Sequence, residues 1–502
     1  MDELAAARAE LDRLEKQEQE LLKQLFAVRF AAQAQRTKVQ GLIKQVSAPV
    51  DRLPNELLLQ IIELSIQTAL VPRQSCDVHL GWKRELMKVS HRWRNLILHS
   101  PSLWSTIKVT PTWREPLVRE HVANSCQYPL DIEICSWSET ESHDRLVALL
   151  DTVTPCAHRW RSLAIRGDIT ELHRYLVLEL LDRLTFPTLT FVSLLNVPPY
   201  LDGLEGIPTE YTAEFLTPEK SPHLKFLELG GLFVTTTPLR VPSDLVNLRL
   251  VFDDPFGEDP PIFLGLLSCR NLTSLSLSGE VWTFDQLRPN SIQFPLLETL
   301  VCSVRSAGGL MQALVAPMLS HFEYCPPVWD VSPDDVFARL GDKFSSVIRL
   351  VLSGMDPMYE AKAIYSTFPN VRHMVLGPHD SIPIFRLGDD SPSEATWHHL
   401  ESLTVDGPKP IRGRSTFPHH LVRWLKYRQH TRQTKLRVRL CAVYATGDWK
   451  RLWKLHEMLH ELCILEWAGV RLDMKMSLFG NGDSLVLVCM STFIGAPLIL
   501  FV

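Results

Sequence analysis

SPHLKFLELGG, residues 221–231, carries the phrase on which the reading of the fold turns. Leu224, Leu227 and Leu229 occupy its first, fourth and sixth places, small residues follow, and a proline precedes. The same spacing recurs as Leu189/Val192/Leu194, Leu245/Leu248/Leu250, Leu272/Leu275/Leu277, Leu297/Leu300/Cys302, Leu319/Phe322/Tyr324, Val347/Leu350/Leu352, Val371/Met374/Leu376 and Leu400/Leu403/Val405. Trp160/Leu163/Ile165 reads as a ragged first copy. From Leu189 onward successive phrases start 21 to 35 residues apart, a period typical of stacked repeat arrays. LELGG and LSLSG read as a strand leaving the core and turning. FPTL, SPHL, FPLL, APML and FPNV put a helix breaker or helix end in front of the next phrase. Each repeat therefore reads as strand, loop, helix, then proline back into strand.

The pattern resembles irregular leucine-rich repeats and covers roughly half the chain. That resemblance implies a solenoid with a parallel sheet on a curved inner face, in which neighbours bury what one repeat cannot bury alone. An ordinary α/β domain with coincidental LxxL strands is the alternative reading.

At 502 residues the chain is too long for one ordinary core, and a prior of about 100 to 200 residues per domain gives two to four units. Its 45% hydrophobic and 22% charged content belongs to a folded protein, and a net charge of -5 gives no global attraction for nucleic acid or an anionic membrane. Neither is expected as a partner. The ten cysteines are scattered without a CxxC pair, so neither a zinc finger nor a disulfide scaffold is indicated. Reduced thiols, and a charged start unlike a secretory signal, fit a reducing compartment, cytoplasmic or nuclear.

Upstream of the repeats, Leu4, Ala7, Leu11, Leu14, Leu21, Leu25, Val28, Ala32, Val39, Leu42 and Val46 fall on the a and d positions of a heptad, with Glu18 and Gln35 breaking the seam. Such a stripe wants a partner helix. Self-association is the first reading, a foreign helical partner the second, and a lone solvated helix the third. The coil ends near Ser47-Ala48-Pro49, because proline cannot continue a helix.

DRLPNELLLQIIELSI follows: Pro54 suits a helix start, Glu56 the positive end of its dipole, and Leu57, Leu58, Ile61, Ile62 and Leu64 supply an apolar stripe. A polar stretch from Gln67 to about Gly81 reads as loop. Helical spacing resumes through Leu86, Val89, Trp93, Leu96 and Ile97. The order Leu53-Pro54-x-Glu56-Leu57-x-x-x-Ile61, Val89-Ser90-His91-Arg92-Trp93-Arg94-x-Leu96, then Pro101-Ser102-Leu103-Trp104 resembles the F-box, a small helical module. With the coil before it and the repeats after it, the chain is similar to the large F-box families of mushroom-forming fungi. Ser90 stands where that family often has Cys, and the connector between Ile66 and Leu86 is longer than in compact F-boxes.

The resemblance implies a substrate-recognition subunit of a Skp-cullin-F-box ubiquitin ligase. Leu53, Pro54, Leu57, Ile61, Val89 and Trp93 would meet the Skp adaptor and through it a cullin. The repeats would hold an unknown target for ubiquitin-dependent degradation, and catalysis would belong to other subunits. A non-enzymatic scaffold of coil and repeats, with its apolar C-terminal tail available as a membrane tether, is the competing reading. Apart from the resemblance, three short helices have too little interior to cover Leu53, Leu57, Ile61, Val89, Trp93 and Trp104 among themselves.

Between Asp406 and Asp448 there is no acidic residue, and Arg423, Lys426, Arg428, Arg432, Lys435 and Arg437 accumulate around Trp424 and Tyr427. They read either as an anion-gripping patch for the target or as a solvated helix face. His456-Glu457-Met458-Leu459-His460 matches HExxH, but Cys463 and Glu466 stand where the metzincin glycine and third histidine would be. Its apolar stripe instead suggests a helix capping the repeats and ending at Gly469. Gly482-Asp483-Ser484-Leu485 spells a GDSL string with no His and Asp partners after it. No enzyme activity, cofactor or metal is expected. The uncharged run Leu485–Val502 reads as a tail anchor, a buried last strand or an atypical terminus.

The expected organisation is thus a multidomain α/β chain. It comprises a coiled-coil helix over 1–46, an all-α F-box-like domain over 48–108, a connecting segment over 109–155, a leucine-rich-repeat-like α/β solenoid with a capping helix over 156–475, and an apolar tail over 485–502.

Overall fold

The computed structural model describes residues 2–45, 50, 53–68, 78–138, 140–167, 169–195, 213–230, 240–252, 269–283, 287–326, 336–354, 362–377, 385, 397–406, 417–431, 435–441, 456–468, 486–489 and 498–501. The chain forms two compact units, Met1–Leu103 and Trp104–Val502.

The first unit is helical. Helix α1, Asp2–Gln45, is one uninterrupted rod of 44 residues, and every described side chain on it is exposed, the heptad leucines included. The short helices α2 (Asn55–Thr68), α3 (Val78–Val89) and α4 (His91–Leu98) follow. Pro54 stands just ahead of α2, where its carbonyl accepts the first helical bond from Leu58 N–H at 3.1 Å. The missing proline N–H costs nothing there. The run through Val89 and Trp93 is two helices, because Ser90 is extended (φ -159°, ψ 164°) and caps α4, its Oγ accepting from Trp93 N–H at 3.2 Å. The stretch expected as loop up to Gly81 is shorter, since α3 already starts at Val78; residues 69–77 lie outside the described set.

The second unit is mixed α/β and, among the described residues, built on one fourteen-stranded parallel sheet. Its strands are β1 (Thr106–Val109), β2 (Leu130–Cys135), β3 (Trp160–Arg166), β4 (Phe191–Leu194), β5 (Phe226–Gly230), β6 (Asn247–Phe252) and β7 (Ser274–Thr283). They continue, past the short β8 (Ile292–Gln293), as β9 (Thr299–Ser306) and, past β10 (Leu314–Val315), as β11 (His321–Tyr324), β12 (Arg349–Leu352), β13 (His373–Leu376), β14 (Ser402–Asp406), β15 (Leu436–Cys441) and β16 (Cys463–Ala468). Each lies beside its predecessor in sequence, while β8 and β10 pair with each other. Helices α5 (Glu115–Asn124), α6 (His143–Val153), α7 (Glu171–Asp182), α8 (Gly308–Ala313), α9 (Lys362–Thr367) and α10 (Phe417–Thr431) occupy connections between strands.

The repeated phrase explains this order. Its fourth and sixth places sit two apart on a strand and so share a face. Strand pairing aligns them in continuous rows, Leu227 beside Leu248, Leu275, Leu300, Phe322 and Leu350, and Leu229 beside Leu250, Leu277, Cys302, Tyr324 and Leu352. All are buried. The first-place residue is buried as well, and its N–H closes a turn onto the residue three before it, as in Leu189 to Phe186 (3.2 Å), Leu297 to Phe294 (3.3 Å) and Leu319 to Ala316 (3.2 Å). Proline fits the second position of such a turn because its φ is already set, which accounts for FPTL, FPLL and APML. One strand with one leucine trio has no interior of its own. Stacked copies make one, and Phe344 and Phe368 extend it by stacking on Phe322 at 5.9 and 5.1 Å. Gly279 ends the LSLSG phrase at φ +137°, where a Cβ would lie 2.1 Å from the carbonyl oxygen of Phe252.

Five expectations need correction. Residues 109–155 are no connector, since β2, α5 and α6 lie within them and β1 and β2 are the first strands of the sheet. The helical module also ends earlier than 108, because β1 begins at Thr106. The capping helix is short: residues 456–459 are helical, but Cys463–Ala468 is the last strand, β16. Its alternating burial in a parallel pair with β15 favours a strand over a continued helix. The sheet is open and not curled, so the curved inner face is absent. In the tail, β17 (Val486–Cys489) and β18 (Leu498–Phe501) form a separate antiparallel pair rather than a last strand of the main sheet. Among the described residues no helix is long and apolar enough to cross a membrane.

Candidate protein-interaction surfaces

Helix α2 is apolar over two adjacent arcs. Leu58 and Ile62, four apart, are buried at 0% and 1% exposure. Leu57, Ile61 and Leu64, also one helical row, remain 47%, 46% and 59% exposed. Covering that second arc releases water from about half of three aliphatic side chains, worth roughly 1 kcal/mol each. Of the six residues expected to meet an adaptor, Pro54, Leu57, Ile61 and Val89 are exposed and Leu53 and Trp93 half-buried.

Polar contacts fix this surface. Arg92 of α4 donates to the carbonyl of Leu53 and, from Nη2 and Nε, to Asn55 Oδ1 at 2.8 and 3.0 Å. It thereby ties α4 to the entry of α2 and holds the Leu53-Pro54 pair in place. Ser102 Oγ–H donates to Glu63 Oε1 at 2.8 Å, linking PSLW to the same helix. The bracing role of Arg92 and Asn55 was not read from the sequence, where the only signal was their presence inside the two motifs. Trp82, 41% exposed with its indole N–H donating to Ser65 Oγ at 3.4 Å, also escaped notice. Lys83 beside it is buried, and that burial pushes its pKa down to about 8.

In the second unit, the sheet face opposite the leucine rows is the accessible one. Pairing places Asp131, Ser162, Phe191, Phe226, Asn247, Ser274, Thr299, His321, Arg349, His373, Ser402 and Arg437 in one row across it. All are half-buried or exposed. A second row, two residues on, includes Glu133, Glu228, Arg249, Glu323, Arg439 and Glu466. Neighbouring strands pair their charges: Lys108 with Glu133 at 3.2 Å, Arg249 with Glu228 at 3.8 Å and Arg437 with Glu466 at 3.5 Å. His321 titrates below its ordinary range because it is desolvated and faces the Arg349 cation. The first row thus changes along the sheet, with hydroxyls and aromatics leading and His321, Arg349, His373 and Arg437 closing it.

The basic cluster of the sequence does not assemble. Arg428 is buried, donating to the carbonyls of Trp397 (2.7 Å) and Leu400 and lying 5.8 Å from the Trp424 ring. It is an internal brace between α10 and the turn before β14. Trp424 is buried as well. Arg423 and Lys426 are exposed on α10, Lys435 and Arg437 are exposed at β15, and Arg432 lies outside the described residues. Sequence proximity failed because α10 turns its third basic residue inward, and Arg437 is held by Glu466.

The HExxH residues also part from their motif. The His456 and His460 rings stack at 5.8 Å, His460 Nδ1 pairs with the Glu457 carbonyl at 2.8 Å, and Cys463 Sγ–H donates to the Leu459 carbonyl. Among the described residues no group of three or more His, Cys, Asp or Glu is placed to hold a metal. Buried thiols are poor nucleophiles: desolvation pushes Cys302 up to about 12 and Cys269 and Cys463 up to about 11. A further titratable pair lies at the start of the sheet, where His173 bonds His143 Nδ1 and Thr170 Oγ1, each at 2.7 Å. Burial, and then His143, depress the pKa of His173.

The sequence matches no protein-family model and no curated protein.

Proposed function

We propose that the chain is the substrate-recognition subunit of a Skp-cullin-F-box ubiquitin ligase. The observation that supports this best is the second, uncovered apolar arc of α2, Leu57, Ile61 and Leu64, beside the Leu53-Pro54 entry that Arg92 holds. An adaptor closing over that arc uses the ordinary chemistry of a hot spot, aliphatic groups desolvated by a partner. The repeats are leucine-rich-repeat-like units stacked as a solenoid in an uncurled form, a reading supported by the constant register of their leucine rows. Their accessible sheet face selects the target, and recruitment raises its effective concentration near the catalytic subunits. The ligase works in the cytoplasm or nucleus, and the chain itself performs no chemistry.

The test is co-purification of the full-length chain with a Skp adaptor. Leu57→Glu/Ile61→Glu abolishes capture while the melting temperature holds. Undiminished capture by this variant, or none by the parent chain, defeats the proposal and favours a scaffold of coil and repeats.

A further inference from the structure

Helix α1 exposes its heptad seam from Leu4 to Leu42, and its charge is distributed unevenly. Residues 2–22 carry seven acidic against three basic side chains, whereas residues 23–45 carry five basic and no acidic ones. A parallel, in-register pair of such helices sets like halves together and puts Glu18 against Glu18 inside the seam. An antiparallel pair sets the acidic half of each against the basic half of the other.

We propose that α1 pairs with a second copy of this chain as an antiparallel coil in full overlap. In antiparallel coils a positions face d positions of the partner helix, and one register satisfies nearly the whole seam: Leu4 meets the other copy's Leu42, Leu14 its Ala32, Leu21 its Leu25 and Val39 its Ala7. Each alanine is matched by a larger residue, and Glu18 faces Val28 instead of a second carboxylate. Glu15 shares its flank with the other copy's Arg29 and Arg36, and Glu10 shares its flank with Lys38. The helix carries a hollow lined by Leu14, Gln17, Glu18, Leu21, Leu22 and Leu25, onto which this register brings Val28, Leu25 and Leu21 of the second copy. A 44-residue helix is about 66 Å long, so the chains leave the coil at opposite ends, about that far apart.

The experiment uses the full-length chain. Sedimentation equilibrium shows a dimer that weakens as salt rises, because opposite charges are screened; parallel pairing strengthens instead. Glu10→Lys/Glu15→Lys/Glu20→Lys weakens self-association by about ten-fold or more. Differently tagged Leu4→Cys and Leu42→Cys chains, compared with the parent for background from native thiols, cross-link only to each other. A monomer at all salt concentrations, a dimer strengthened by salt, or Leu4→Cys cross-linking to itself overturns the proposal.

Discussion

Leucine occupies opposite situations in the two units. In the sheet, Leu227, Leu250, Leu277, Leu300 and Leu352 are 0–1% exposed and aligned strand to strand, whereas Leu4, Leu14, Leu21, Leu57 and Leu64 of the helical unit are 47–62% exposed. A repeat covers the apolar face of its neighbour with the next copy of itself, so the sheet is self-sufficient except at its edges. The helices present the same side chains exposed among the described residues, where only a second surface closing over them would remove them from water. Hydrophobic pattern therefore marks a buried core in one unit and an exposed stripe in the other.

Mutation can break that contrast. The largest effect belongs to the sheet: Phe322→Ala removes a ring stacked on Phe344 and Phe368 and should cost about 3–5 kcal/mol, seen as a lower denaturant midpoint. Next comes Arg428→Met, which removes the guanidinium donor from the carbonyls of Trp397 and Leu400, leaving the former with Leu400 N–H, and should cost about 1–3 kcal/mol, while Lys426→Ala shifts stability by less than about 0.5 kcal/mol. Equal losses from the two changes would remove the internal-brace role given to Arg428. Leu57→Glu/Ile61→Glu should change stability by less than about 1 kcal/mol while removing adaptor capture. A large fall in melting temperature would mean that this arc is core after all.

The smallest effect is a pH slope. His173 has its pKa depressed in the fold, so the unfolded chain takes up the proton first. Its contribution to stability is complete above the unfolded value near pH 6.5 and is lost as pH falls below it toward the folded value. Denaturation midpoints between pH 7 and 5 should fall less steeply in His173→Gln than in the parent chain.

The parallel strands of the repeats were legible because the leucine trio and its proline turn are local signals, repeated often enough to establish a period. The first two strands and the last two were not. TIKV and LDIEIC lack the leading leucine and proline, and LRVRLC and CILEWA were masked by the basic run and the HExxH string. At the helical module the apolar stripe was readable, but not which part of it is buried, because Leu57 and Leu58 are equivalent in sequence.

The one-dimensional pattern alone determined that helices precede a repeated strand unit, because side-chain periodicity follows directly from backbone geometry. Only the tertiary structure decided which arc of α2 is covered, that Arg428 turns inward while Arg423 does not, and that Ser162 and Phe191 share one accessible row of the sheet with Arg349 and Arg437. Those outcomes depend on what lies across from each side chain, and the facing residues come from elements that sequence distance does not rank.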